Sequence, residues 1–296
     1  MKSSVLPLQP IACAIPALPD WIAVGCSEGV EDMAFLSGAA LSMVHQVGAR
    51  PDLPQPLWRA RLALEAAEAC VRMSGRPERA ADLRDALHLL RPGDHPGPAG
   101  EVFRNWARAV ERPVSVAGLA RALPKLEPET IALMLDAEQG SAVARAAAVI
   151  EAVLADAPRA QVPALILGDA VLAQALGWRH LLPMLAIGLK PRDLRQTGEV
   201  LRLACHRAVI SSARPAVQLA ADLARRADRL RVVVPKLRAK AAVQAVEMVL
   251  TRDALAPSAL AGLMSDRAAR RLCDRLVALG VARELTGRMT FRLYGL

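Results

Sequence analysis

The stretch SDRAARRLCDRLVALG, residues 265–280, followed by VARELTGRMTFRLYGL, residues 281–296, decides how the chain is read. On a wheel of about 100° per residue, Arg270, Arg271 and Arg275 fall within about 80° of Arg267. Ala269, Leu272, Cys273, Leu276 and Leu279 take the opposite half. The pattern predicts an amphipathic helix with an apolar inner face and a guanidinium outer face. Ser265 is placed to cap its first turn and Gly280 to end it in the left-handed conformation. Asp274 is the one acid inside the basic face, and pairing with Arg270 or Arg271 is expected at helical spacing.

After Gly280 the helical period gives way to alternation. Thr286-Gly287 offers a tight turn between runs 281–285 and 288–294, predicting a β-hairpin. With a two-residue loop Arg283 faces Thr290, Val281 faces Arg292 and Leu285 faces Arg288, which gathers three arginines on one side. Ala282, Met289, Phe291 and Leu293 then point inward. Upstream, residues 236–251 read as a helix, and Ala256–Gly262 as a short helix with proline in its first turn. Helix, short helix, basic helix and basic hairpin together describe a winged helix-turn-helix. In that module the second helix enters the major groove and the wing touches the phosphate backbone.

Charge is segregated in the same way. Residues 1–189 hold 17 Lys and Arg against 20 Asp and Glu, whereas residues 190–296 hold 21 against 9. A positive field confined to the last third fits a polyanion such as DNA, RNA or an anionic lipid surface; a merely solvated arginine face is the alternative. The chain as a whole is rich in Ala and Leu and only 3% aromatic, which predicts a mainly α protein.

Helical runs are expected at about 30–48, 56–74, 77–90, 98–111, 114–123, 128–156, 162–176, 180–189 and 192–231, the last with a bend near Pro215. The loop RPGDHPGPAG, residues 91–100, interrupts them with three prolines and three glycines. The uniformly apolar segments between 114 and 189 predict the buried centre of an antiparallel bundle. Domain limits follow: an extended Pro-rich arm over 1–29, a multi-helix bundle body over 30–234, and a winged helix-turn-helix over 235–296.

Cys13, Cys26, Cys70, Cys205 and Cys273 are scattered and odd in number, with no metal-ligand spacing, so neither a disulfide framework nor a zinc site is expected. Reduced thiols in the cytoplasm fit this usage. Gln9 and the prolines Pro7, Pro10, Pro16 and Pro19 break the N-terminal apolar run where an export signal is continuous. No run reaches the ~18 uninterrupted apolar residues of a membrane span, so no membrane partner is expected.

No Walker loop, HExxH, GxSxG or dinucleotide glycine pattern occurs, and no cofactor is expected. An enzyme would centre on Asp94 and His95 in the Gly/Pro loop, with Asp85, His88 and Arg91 preceding them. Loop formation explains the same glycines and prolines. His180 is read as a loop anchor, Trp58 and Trp106 as packing residues with their N–H at an edge, and Asp169 as pairing with Arg179 or starting a helix. His45 and His206 have no suggestive neighbours in sequence.

Three blocks, DALHLLRPGDHPGPAG (85–100), DAVLAQALGWRHLLPMLAIGL (169–189) and the terminal SDRAARRLCDRLVALGVARELTGRMTFRLYGL (265–296), give a further orientation. Through them the chain resembles, over nearly its whole length, a bacterial family designated domain of unknown function 1403, a resemblance that carries no activity with it. The terminal block alone is similar to the C-terminal winged helix of Fic-type proteins, through Ala269, Arg270, Arg271, Asp274, Arg275, Leu276, Val277, Leu279, Gly280, Arg283, Glu284, Thr286, Gly287 and Arg288. Fic catalysis uses a His-Pro-Phe segment leading to Gly-Asn-Gly-Arg, and Asp94-His95-Pro96-Gly97-Pro98 departs from it. The resemblance therefore implies the module without AMP transfer.

The expected function is binding of double-stranded DNA, as in a transcription regulator. Ser265 caps the reading helix, Arg267, Arg270, Arg271 and Arg275 face the groove, and Arg283, Arg288 and Arg292 grip backbone from the wing. Lys236, Arg238 and Lys240 add phosphate contacts. The body is expected to form a homodimer, bind a partner or sense a small-molecule effector. The alternative is a helical scaffold whose winged helix docks a protein.

Overall fold

The computed structural model describes residues 15–23, 29–90, 93–136, 139–237 and 241–296. Most of the expected N-terminal arm, with Cys13 and Cys26, lies outside these residues, as do Arg91, Arg238 and Lys240. Where the arm is described it is not wholly extended. Asp20–Ala23 form a helical turn, α1, held by Leu18 and Ile22 in the core and by Asp20 pairing with Arg214 at 2.8 Å.

The described chain is mainly helical. Val30–Gly48 (α2), Gln55–Met73 (α3), Ala80–His88 (α4) and Gly97–Glu111 (α5) come first. Val116–Ala122 (α6), Pro128–Leu135 (α7), Ala142–Asp156 (α8), Gln161–Ala175 (α9) and Met184–Gly188 (α10) follow. Gly198–Val233 (α11), Ala242–Thr251 (α12) and Asp266–Ala278 (α13) complete the set. No helix among the described residues is long and apolar enough to cross a membrane.

The core is built around α9, in which every residue from Ala164 to Ala173 is buried. Its apolar run serves as the inner helix of the bundle, against α8 on one side and α10 on another. Close packing depends on small residues. A Cβ on Gly168 would lie 2.7 Å from Ile150 Cγ1, and one on Gly188 would lie 2.3 Å from the Ala208 carbonyl oxygen. Ala and Gly at these crossings let helix backbones approach where larger side chains hold them apart. The long α11 runs along the bundle, contacting α2, α8 and α10, and continues through Pro215 as one helix.

Several local expectations change. The run 128–156 is two helices, because Gly140 at φ +95° turns the chain and Ser141 caps α8 by accepting from the Ala144 amide at 3.4 Å. The loop after α4 is shorter than expected: Gly97, Pro98, Ala99 and Gly100 already belong to the first turn of α5, where proline is tolerated. Gly100 sits against Ala86 and Pro96, where a Cβ would meet Ala86 at 3.1 Å.

In the terminal segment, α12 is followed by an extended Leu255, a 3₁₀ turn at Pro257–Leu260, α13, and two short strands, β1 (Arg283–Glu284) and β2 (Tyr294–Gly295). The strands are antiparallel, but the expected register is wrong. Arg283 pairs with Gly295 and Glu284 with Tyr294, and the Leu285 amide donates to the Leu293 carbonyl. The chain between them is therefore a loop over 286–292 rather than a two-residue turn. Two forces move the register. Leu255 exchanges both backbone hydrogen bonds with Tyr294, at 2.8 and 2.9 Å, which draws the end of the chain against the segment before α13. Glu284 then folds over the loop start, its carboxylate accepting from the Thr286 and Gly287 amides at 2.8 and 2.7 Å. As a result Ala282 and Leu293 are buried as expected, whereas Met289 and Phe291 point outward, 86% and 64% exposed.

Candidate nucleic-acid interface

The helix α13 is positioned by its apolar half. Ala269, Leu272, Cys273 and Leu276 are buried against the 3₁₀ turn and β1, and they belong to a core continuous with that of the bundle. Ser265 accepts from the Ala268 amide at 3.4 Å, satisfying one free donor of the first turn. Gly280 ends the helix at φ +68°. This combination aims the other half of α13 at solvent.

Arg267, Arg270, Arg271 and Arg275 are all exposed. Their neighbours come partly from helical spacing and partly from the strands packed beside the helix. Arg270 pairs one turn back with Asp266 at 2.8 Å. Asp274 pairs with neither Arg270 nor Arg271; it accepts from the Tyr294 hydroxyl at 3.1 Å and lies 3.7 Å from Arg292. The reason is the strand register, which brings Tyr294 and Arg292 beside the helix. Arg267, Arg271 and Arg275, at successive i, i+4 steps, are left without an ion pair among the described residues. They form a strip of uncompensated positive charge on one side of α13.

From the end of α13 the charge continues. Arg283 is exposed and lines a cleft of about 160 Å³ with Arg225, Arg226 and Arg229 of α11. Asp222 compensates part of it, pairing with Arg226 at 2.7 Å and Arg225 at 3.3 Å. Arg229 and Arg283 have no ion pair among the described residues. The two arginines of the loop between the strands are partly exposed and engaged within the chain. Arg288 is bound to Asp85 of α4, and Arg292 donates through Nε to the Arg288 carbonyl at 2.9 Å.

A buried ionic hub ties this unit to the bundle. Asp253, 3% exposed between α12 and Leu255, accepts from Arg84 Nε at 2.7 Å and Nη2 at 3.0 Å. Arg61 Nε lies 2.7 Å from the same carboxylate without hydrogen-bond geometry, and its Nη2 donates to the carbonyls of Asp253 and Leu296 at 3.2 and 3.1 Å. The terminal segment is thus pinned by two arginines of α3 and α4. No sequence pattern marks these pairs, since the partners lie more than 160 residues apart.

The alternative, enzymatic reading centres on Asp94 and His95, with Asp85, His88 and Arg91 before them, of which Arg91 lies outside the described residues. His95 is exposed and lies 3.5 Å from Glu101. Asp85 is engaged by Arg288, and His88 packs edge-on to Phe103 with its ring centroid 6.4 Å away. Burial holds the His88 imidazole below its ordinary range. Among the described residues no group of three or more His, Cys, Asp or Glu side chains is placed to hold a metal ion.

Three other polar side chains have roles that sequence spacing does not reveal. Asp169 neither pairs with Arg179 nor starts its own helix. Buried in α9, it caps α10 from outside, accepting from the Leu185 and Ala186 amides at 2.8 and 3.2 Å. His206 of α11 shares a 2.6 Å hydrogen bond with Ser37 of α2, and Trp178 donates to His45 Nδ1 at 2.9 Å. Trp58 and Trp106 pack in the core as expected, but their N–H groups are buried with them rather than at an edge, Trp58 donating to the Ala216 carbonyl at 3.0 Å.

Among known proteins, a family model described as Protein of unknown function (DUF1403) matches residues 10–296, and the chain belongs to that family. None of the curated proteins matches it.

Proposed function

We propose that this DUF1403 protein, whose family brings no chemistry with it, binds double-stranded DNA through a C-terminal winged helix-turn-helix of residues 235–296. The observation that carries the reading is the strip Arg267, Arg271 and Arg275, exposed and, among the described residues, free of ion pairs, on a helix whose opposite face is sealed into the core. Uncompensated guanidinium groups attract phosphate over several ångströms and can fork onto guanine O6 and N7 at contact. Support also comes from element order. Helix α12, the extended Leu255, the 3₁₀ turn, α13, β1, a loop and β2 follow one another, with β2 between Leu255 and β1 in the pairing. A winged helix is organised in that order.

In this reading Ser265 fixes the start of the reading helix, and Arg267, Arg271 and Arg275 enter the groove. Arg270 joins them at the cost of its bond to Asp266. Arg283, with Arg229 behind it, meets the flanking phosphate backbone. Arg288 and Arg292 shape the wing loop through Asp85 and Asp274 and reach phosphates from its rim. Lys236 contributes a further phosphate contact.

The test is a mobility-shift titration with duplex DNA at about 50 and 200 mM salt, where affinity should fall by about 10³-fold or more if six or more phosphates are contacted. Arg271→Glu with Arg275→Glu should weaken binding by roughly 100-fold, since each well-formed base or phosphate contact contributes ~1–3 kcal/mol. Full binding in that double variant would reject the assigned face.

One observation favours a second reading, docking of a protein partner. Exposed Met289 and Phe291 rim a groove of about 600 Å³ that Leu89, Ala256, Pro257 and Tyr294 also line. Met289→Ser with Phe291→Ser should leave DNA binding intact under the first reading and abolish partner capture under the second.

A further inference from the structure

Between α2, the start of α3 and the loop 177–182 lies a cavity of about 270 Å³, remote in sequence from the terminal helix. Val44, Ala49, Trp58, Trp178 and Leu182 give it apolar walls, and Arg59, Arg179, His45, His180 and Gln55 supply its polar groups. Among the described residues no acidic side chain lines it.

Arg59 is the anomaly. It is only 9% exposed, yet among the described residues it has no carboxylate partner, and the hydrogen bond it makes runs from Nε to the Val110 carbonyl at 3.2 Å. That bond closes the end of α5 and uses one of the five donors of a guanidinium. A buried charge is normally paired, because desolvation without a partner costs several kcal/mol. Instead another cation acts on it: Arg179, on the facing loop, adds its repulsion to burial in lowering the Arg59 pKa. Arg179 itself forms no ion pair among the described residues.

The rest of the cavity is set for the same missing charge. Indole nitrogen can only donate, so the 2.9 Å bond from Trp178 Nε1 makes His45 Nδ1 an acceptor and leaves the ring proton on Nε2, another donor. Burial and the two arginines hold His180 down to about 4, so it stays neutral and adds no competing cation. The loop carrying Arg179 is itself held, the Val114 amide donating to the Arg179 carbonyl at 2.9 Å.

We propose that this cavity is a binding site for a small organic carboxylate with a flat apolar body. The carboxylate is received by the free Nη groups of Arg59 together with Arg179, and the body lies between Trp58, Trp178 and Leu182. An arginine fork matches the two oxygens of a carboxylate in plane, and the tryptophans match a flat ligand face. The apolar walls favour an organic anion over a fully hydrated inorganic one.

The probe is benzoate, added to the full chain and followed by tryptophan fluorescence and by melting temperature. Saturable benzoate binding with a raised melting temperature is expected, with benzamide, its uncharged isostere, bound about tenfold more weakly or worse. Arg179→Gln, at an exposed side chain, should fold normally and lower benzoate affinity about fivefold or more. Arg59→Gln should abolish saturation. Absence of saturation by benzoate up to about 10 mM, a range that reaches even weak fragments, would overturn the proposal. So would equal binding of benzamide, tighter binding of inorganic phosphate than of benzoate, or unchanged affinity in Arg179→Gln.

Discussion

Arg84 and Asp253, separated by 169 residues, form a two-pronged ion pair in which Nε and Nη2 each meet one carboxylate oxygen, at 2.7 and 3.0 Å. Arg61 approaches the same carboxylate, so one buried acid compensates two cations from neighbouring helices. Removing that acid leaves both guanidinium groups unpaired in a site that is 3% exposed at the carboxylate. Asp253→Ala should cost about 3–5 kcal/mol, measured by urea unfolding. Arg84→Ala should cost less, because Arg61 still neutralises Asp253.

A pH dependence follows from Asp169. Burial pushes its carboxyl up to about 8, against the pull of the backbone amides at the start of α10. The folded protein therefore keeps a proton there that the unfolded chain releases above its ordinary value of 3.8. Stability from this group is fully present below that ordinary value and is lost as pH rises toward 8. Urea unfolding of wild type at a series of pH values across that window should show a decline that Asp169→Asn flattens. The variant should also be less stable at the acid end, since one amide of α10 then faces an NH₂ group.

Gly188 is where α10 crosses α11. A methyl group there would stand 2.3 Å from the Ala208 carbonyl oxygen and 2.5 Å from its Cα, both backbone atoms that cannot rotate away. Gly188→Ala should destabilise by about 3 kcal/mol or more, at the upper end of overpacking costs, despite the better helix propensity of alanine. Gly38→Ala, on α2 with open space around it, should be neutral or slightly stabilising and serves as the control. Thermal melts distinguish the two.

Cys70, Cys205 and Cys273 are buried, and burial pushes each thiol up to about 12. Thiolate is the reactive form, so these three should resist a thiol reagent at neutral pH in the folded protein and react together on unfolding. Peptide mapping after brief labelling with iodoacetamide checks this residue by residue. Modification of Cys273 at the rate of a free thiol would show that the inner face of α13 opens.

Helix α13 was legible almost residue by residue, because a helix is stabilised by bonds three or four residues apart and its apolar period, Ser265 cap and Gly280 stop are written in the same short window. The bundle class was legible for the same reason, from apolar runs such as Ala164–Ala173. The pairing of β1 with β2 was not. Thr286-Gly287 looked like the turn, but Leu255 captures Tyr294 and moves the register away from it. That competition lies between segments about forty residues apart, where local spacing carries no information.

By itself the sequence determined a mainly helical chain, a basic final third, and an arginine face on one amphipathic helix. Helical spacing lets Asp266 take Arg270, whereas tertiary structure alone decided that Asp85 takes Arg288 and Asp274 takes Arg292, leaving Arg267, Arg271, Arg275 and Arg283 without an ion pair among the described residues. It likewise set Arg59 inside the bundle with another cation for its neighbour. Local bonding selects helices from a few residues, whereas compensation of charge depends on which surfaces the packed core brings within about 4 Å of each other, and chain separation does not encode that.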